Sequence, residues 1–287
     1  TFNQTFDPQI SVSSGYTTIY LQTGYVRNTG LELSLGYGHT WNNNFRWDSN
    51  FTLSHNKNKI KELVRDYVHP ETGELINKDR LDVGGLGKAR FILKEGGTLG
   101  DLYTQSDLKR DDNGMVDIDP TGIVAIENNL PDIKLGSVFP KANLAWSNHF
   151  SWKGISLSAL FTARIGGIVY SATEAAMDQY GVSERSALAR DNGGVLVNNR
   201  TLVDAQNYYT TIGSESGLPQ YYTYNATNVR LQEASIGYLI PRKWLGNVCD
   251  IQVSVIGRNL WMIYNKAPFD PESVATTDNY YQRSEEH

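Results

Sequence analysis

Apolar and polar residues alternate along VRNTGLELSLGYGHTWNNNFRWDSNFTLSH, Val26 to His55, on both sides of the polar cluster Trp41 to Asn44. Period two marks a strand with two unlike faces, so the segment predicts a hairpin. In its first arm Leu31, Leu33, Leu35 and Tyr37 share one face, and Glu32, Ser34, Gly36 and Gly38 the other. In its second arm Phe45, Trp47, Phe51 and Leu53 oppose Arg46, Asp48, Asn50, Thr52 and Ser54, with Ser49 a polar intruder on the apolar side. Such alternation serves a soluble sandwich packed on its own core, or a barrel wall facing lipid.

The same reading yields further long strands. KANLAWSNHFSW puts Ala142, Leu144, Trp146, Phe150 and Trp152 opposite Asn143, Ser147, His149 and Ser151, and Lys153-Gly154 makes a minimal turn. ISLSALFTARIG then sets Ile155, Leu157, Ala159, Phe161, Ala163 and Ile165 against Ser156, Ser158, Thr162 and Arg164. NVRLQEASIGYLIP, from Asn228, changes phase at Gln232 and Glu233, which predicts a β-bulge, and ends at Pro241. The last strand runs from about Cys249 to Tyr264, with Ile251, Val253 and Val255 facing away from Gln252 and Ser254.

The connections alternate in length. Within hairpins they are short (TWNNN, KG, PRKWLGNV); between hairpins they run from Ile60 to about Phe139, from Ser171 to about Thr227, and onward from Tyr264. Outer-membrane barrels place short turns on the periplasmic side and long loops outside, whereas a sandwich has no reason to gather its long loops at one end. Tyr37, Trp41, Phe45, Trp47, Phe150, Trp152, Tyr238 and Trp244 cluster at the short-turn ends, as an interfacial aromatic girdle would.

Composition agrees with an all-β chain and excludes several classes. The 287 residues include 26 Gly, 17 Tyr and 6 Trp. The mean hydropathy of -0.42 resembles a soluble protein, but polar alternates cancel the signal of a membrane strand in any average. No window holds the ~18 apolar residues of a membrane helix. A net charge of -5 and the lack of a basic run argue against nucleic acid as a partner. The single cysteine, Cys249, rules out an intrachain disulfide and reads as a small apolar filler beside a valine-rich run. No basic segment followed by an apolar one opens the chain, so no signal peptide is expected within it.

Chemical motifs are weak. GGLGK at Gly84 to Lys88 lacks the phosphate-loop spacing, and Ala89 stands where Ser or Thr is required. DDNGMVDIDP at Asp111 to Pro120 clusters acidic oxygens, yet Gly114 is too early for an EF-hand and no Glu follows at the needed offset, so a solvated turn is expected. The 5 histidines have no metal-ligand spacing. No catalytic residue, metal site or cofactor is expected, and the chain is not read as an enzyme. Within the long connections, the segment after Gly84 suggests a local hairpin and SATEAAMDQYGVSERSALAR a helix with a serine cap. The Tyr-rich loop NYYTTIGSESGLPQYYTYN offers Tyr208, Tyr209, Tyr221, Tyr222 and Tyr224 as contacts for a substrate or partner, since tyrosine pairs flat apolar area with a hydroxyl.

Six segments, GYVRNTGLELSLGY, NFTLSHNKNKI, LKEGGTLGDLY, FPKANLAWSNHFSWKGISLSALF, NVRLQEASIGYLIP and VSVIGRNLWMIYNKAPFDPE, resemble in order those of the SusC/RagA-type TonB-dependent transporters of the Bacteroidetes outer membrane. The resemblance implies an antiparallel up-and-down transmembrane β-barrel of roughly 22 strands closed by a plug domain. Residues 1-287 would be the C-terminal portion of that barrel, about six strands with long extracellular loops, without the plug, the TonB-contacting segment or the final strand. The implied function is TonB-dependent import of a large nutrient, a glycan or a peptide, beneath a SusD-like lipoprotein lid. Glu32, Arg46, Asp48, Asn50, Asn143 and Arg164 would then line the lumen, with the alternate rows in outer-membrane lipid. The competing expectation is a soluble extracellular carbohydrate-binding β-sandwich.

Overall fold

Six long strands join in one antiparallel sheet: β1 (Leu21–Thr40), β2 (Phe45–Glu62), β3 (Ala142–Trp152), β4 (Ile155–Ile165), β5 (Asn228–Ile240) and β6 (Ile251–Asn265). The computed structural model describes residues 4–6, 21–41, 44–68, 73, 75–246 and 248–272. Each strand pairs with the next in sequence, and the short strand Gln4–Phe6 pairs with the outer edge of β1. The sheet is thus an up-and-down wall, and the described strands do not close it on itself.

The register carries the sequence alternation across the whole wall. Leu35 stands opposite Phe51, Phe51 opposite Trp146, Trp146 opposite Phe161 and Phe161 opposite Leu231. One row over, Ser34 meets Thr52, Thr52 meets Ala145 and Ala145 meets Thr162. Every strand therefore gives its apolar set to the same face, because a one-residue slip in any pair would exchange the faces. The phase change in β5 is a bulge, with register shifts between Leu160 and Phe161 and between Leu231 and Glu233.

The apolar face is bare. Leu31, Leu35, Leu157, Ile236 and Val255 are all exposed, and among the described residues no second sheet covers them, which a sandwich would require. The sandwich expectation is therefore overturned. The last strand starts at Ile251, two residues later than the periodicity suggests; Cys249 sits exposed in the connection from β5 and packs against no valine run, contrary to its reading as a filler.

The short turns follow from backbone preference. Lys153 and Gly154 both take positive φ, 48° and 88°, as a two-residue hairpin needs. A Cβ on Gly154 would lie 2.9 Å from the Leu239 carbonyl oxygen, so only glycine fits.

The packed core lies at the opposite end, in the two long connections. Residues 63–141 build a small sheet from Arg80–Leu86, Ala89–Lys94, Asp101–Thr104 and Ile133–Ser137, which includes the anticipated hairpin. Residues 166–227 form α1 (Ala172–Gln179), α2 (Glu184–Asp191), α3 (Ala205–Gly213) and the single turn α4 (Pro219–Tyr222). The serine-capped helix foreseen over residues 171–190 is in fact two, each with its own serine cap: Ser171 accepts from the Glu174 N–H, and Ser183 from the Ser186 N–H. Leu102, Leu108 and Val124 from the first connection pack with Ala175, Ile212, Leu218 and Tyr222 from the second. The loops are a folded layer seated at one end of the wall.

Candidate functional site

The polar face of the wall carries its charge in interlocked groups. Arg46 grips Asp48 with two hydrogen bonds, Nε to Oδ2 at 2.7 Å and Nη2 to Oδ1 at 2.6 Å. Asp48 has room because Gly38 stands opposite it; a Cβ there would lie 2.7 Å from Asp48 Oδ1. Across β3 the same row continues to His149, whose Nδ1 lies 2.8 Å from Ser158 Oγ. On the far strands Arg258 Nε donates to Glu233 Oε2 at 3.0 Å, and buried Arg230 reaches Asp270 at 2.7 Å and Glu272 at 3.3 Å.

Two shallow hollows lie on this face. One, of about 690 Å³, is bounded by Glu32, Ser54, Asn143, Arg164, Gln232 and Glu272. The other, of about 520 Å³, is bounded by Asp48, Asn50, His149, Ser158 and Glu233. Arg164 Nη2 donates to the Val138 carbonyl at 2.7 Å, which ties the wall to the loop layer above it. The structure thus places Glu32, Asp48, Asn50, Asn143 and Arg164 along the two hollows, and Arg46 on the same face against Asp48. Arg230, Glu233 and Arg258 join them and escaped the sequence reading, because the bulge at Gln232–Glu233 changes which alternates face this side.

The Tyr-rich segment is arranged differently from the sequence reading. Tyr222 is wholly buried, and its Oη donates to Asp178 Oδ2 at 2.9 Å. Asp178, also buried, accepts from Ser183 Oγ at 2.6 Å and Arg185 Nε at 3.0 Å. Burial and the adjacent carboxylate push the Tyr222 phenol far up. Burial works against the charge of Arg185, but its bonds to Asp178 outweigh that and hold the guanidinium ionised. Tyr209 is buried as well, while Tyr208 and Tyr221 are half-buried with phenols raised mainly by that burial. Tyr224 packs edge-on to Phe269, centroids 5.5 Å apart. As direct contacts Tyr209 and Tyr222 are therefore corrected: their rings complete the loop core, since large half-apolar side chains beside short helices are worth more packed than displayed.

Asp111 and Asp119 each turn their carboxylates back on the chain. Asp111 Oδ1 accepts from the Asn113 and Met115 N–H groups, both at 2.9 Å, and Asp119 Oδ1 accepts from Thr121 and Ile123. These are Asx turns, with Oδ1 of each carboxylate already engaged. Among the described residues no group of His, Cys, Asp and Glu is arranged to hold a metal.

Comparisons with known proteins fit this architecture. No protein-family model matches the chain. TonB-dependent receptor P3 of Formosa agariphila is 25% identical over 292 residues, covering 93% of this chain and 27% of that protein. TonB-dependent receptor P26 of the same organism is 27% identical over 58% of this chain and 17% of its own length. Among solved structures, the RagAB peptide transporter matches at TM-score 0.67 and 19% identity, over 98% of this chain and 30% of the other. The RagAB peptide importer in its open-open state matches at 0.63 and 18%. The chain spans about a quarter of the length of TonB-dependent receptor P3. In sequence this chain is thus similar to TonB-dependent receptors, and its fold matches part of the RagAB transporter structures.

Proposed function

We propose that the chain is the C-terminal barrel wall of a TonB-dependent importer of a large nutrient, a glycan or a peptide. The observation that carries this reading is the division of the wall: ion-paired polar rows with two open hollows on one face, bare apolar rows on the other, and a folded loop layer at one end. Glu32, Arg46, Asp48, Asn50, Asn143 and Arg164 would face a water-filled lumen beside a plug contributed from elsewhere in the receptor. The loop layer would meet the substrate and a SusD-like lipoprotein lid, and the TonB complex would act through the plug side.

In this scheme the chain does no covalent chemistry. Arg46 with Asp48, Arg230 with Asp270 and Glu272, and Arg258 with Glu233 hold one another, which leaves a hydrated surface over which a large polar substrate can pass. The half-buried hydroxyls of Tyr208, Tyr221 and Tyr224 are the parts of the Tyr-rich segment that small loop movements would bring to a ligand.

The test is uptake of labelled oligosaccharides and labelled peptides by cells with and without the receptor. Uptake of one class should require the receptor and collapse when a protonophore dissipates the energised inner membrane. Uptake that survives either treatment would overturn the reading.

A further inference from the structure

The apolar face has a second chemical zone, independent of what is imported. Taking β1 from Arg27 and β2 as far as Lys59, the outward rows of the six strands contain no Asp or Glu. Their full positive charges, Arg27, Lys57 and Lys59, gather at the loop end, where Thr29 pairs with Lys57 and Arg27 with Lys59 directly beyond the Leu31–His55 pair. All three are exposed and, among the described residues, none has an ion-pair partner. On the polar face, by contrast, Arg46, Arg230 and Arg258 are each matched to a carboxylate.

A groove of about 660 Å³ opens beside them, where β2 parts from β3 and the loops begin. His55, Lys57, Lys59, Lys141, Thr98 and Ser137 lie along it, and no carboxylate does. Height places the groove at the membrane surface. Phe45 to Leu53 is eight residue steps of β2; at about 3.4 Å per step and a tilt of roughly 40°, this covers about 20 Å of the membrane normal. Lys57 stands four steps further, roughly 10 Å above the apolar band and within the headgroup zone.

We propose that this basic groove is a docking site for the phosphorylated headgroup of an outer-leaflet glycolipid. Three long cations kept free of acidic neighbours suit a phosphate carrying near two negative charges, and their stems run back over apolar surface toward the acyl chains. A lipid held here would sit against the seam between β2 and the loop layer, and so anchor the end of the wall from which the loops rise.

The test uses the receptor extracted from outer membranes in mild detergent, with bound phosphoglycolipid counted by native mass spectrometry. The variant carrying Arg27→Gln, Lys57→Gln and Lys59→Gln should retain at least threefold less lipid than wild type. The pair Arg242→Gln and Lys243→Gln, at the short-turn end, should retain the wild-type amount. Independently of how those variants fold, delipidated wild-type receptor should rebind phosphorylated lipid A and lose most binding when the same lipid has been dephosphorylated. Equal retention by the triple variant and wild type, or equal rebinding of the dephosphorylated lipid, would overturn the proposal. So would displacement of the lipid by millimolar inorganic phosphate, which would make the groove a site for free phosphate.

Discussion

Trp47 and Asn148 are joined on the apolar face of the wall: the indole Nε1–H donates to Asn148 Oδ1 at 3.1 Å. Beside them Trp146 Nε1–H donates to Ser49 Oγ at 2.9 Å, and Ser49 stands directly opposite Asn148. The two polar intruders of the apolar face are thus paired across the strands, and each accepts from a tryptophan two positions along the other's strand. An amide left unpaired in hydrocarbon costs several kcal/mol, so an indole that fills the gap and brings a donor suits this position. Trp47→Phe should lower receptor stability by about 1–3 kcal/mol. Trp47→Phe combined with Asn148→Leu should cost clearly less than the two changes summed. Urea midpoints of the receptor in lipid vesicles measure this, and strict additivity would mean that the bond contributes nothing.

Facing is testable with neighbouring residues. Leu35 lies mid-wall opposite Phe51 on the apolar face; Ser34 lies opposite Thr52 on the polar face. Leu35→Arg should cost about 2–4 kcal/mol and reduce outer-membrane assembly, whereas Ser34→Arg should be tolerated. Heat-modifiable mobility of the folded barrel on gels reports the difference, and equal loss for both would contradict the assigned faces.

Much of the wall was legible in the sequence because a two-residue period is a local signal that the register then fixes everywhere at once. Leu31 to Tyr37 and Phe45 to Leu53 take the faces that their alternation implies. In the loop layer the local elements were partly legible, but their packing was not. Tyr222 meets Asp178 only after α1 and α4 come together, a contact between residues far apart in sequence that no spacing rule encodes. Asn148 was overlooked for a similar reason: alone it is a polar residue in an apolar row, and its role depends on Trp47 from another hairpin. Cys249 was misplaced because a valine beside a turn looks like a valine in a strand.

The loop layer has a pH limit set by Asp132. Arg80 holds this carboxylate with bonds of 2.7 and 2.9 Å, Lys94 adds an ion pair at 2.8 Å and Gln105 a bond at 2.9 Å. The Arg80 hydrogen bonds, reinforced by Lys94 and opposed by burial, keep the acid well below the usual carboxylate range. A lowered folded pKa contributes stability that is complete above the unfolded value of about 3.9 and is lost as pH falls through the folded pKa. Hydrogen exchange over Arg80–Lys94, corrected for intrinsic rate, should therefore stay flat from neutral pH to about 5 and accelerate below about 4. Asp132→Asn should raise it already at neutral pH; unchanged exchange would remove Asp132 as the tie.

The Asp178 cluster makes a separate prediction. Tyr222→Phe deletes one bond to a buried carboxylate and should cost about 1–2 kcal/mol, while Asp178→Ala strands Arg185 as well and should cost about 3–5 kcal/mol. Limited proteolysis of residues 166–227 in the assembled receptor should rank wild type, Tyr222→Phe and Asp178→Ala in order of increasing cleavage. Equal resistance would show that the loop core does not depend on this cluster.

The central claim, that alternate residues of this wall face lipid and lumen, is tested most directly by single cysteines at positions 34 and 35 in a Cys249→Ser background. In intact outer membranes, a fluorophore on Leu35→Cys should be quenched by brominated lipid and shielded from aqueous iodide, and one on Ser34→Cys should show the reverse. Lipid quenching at position 34 with iodide quenching at position 35 would contradict the account.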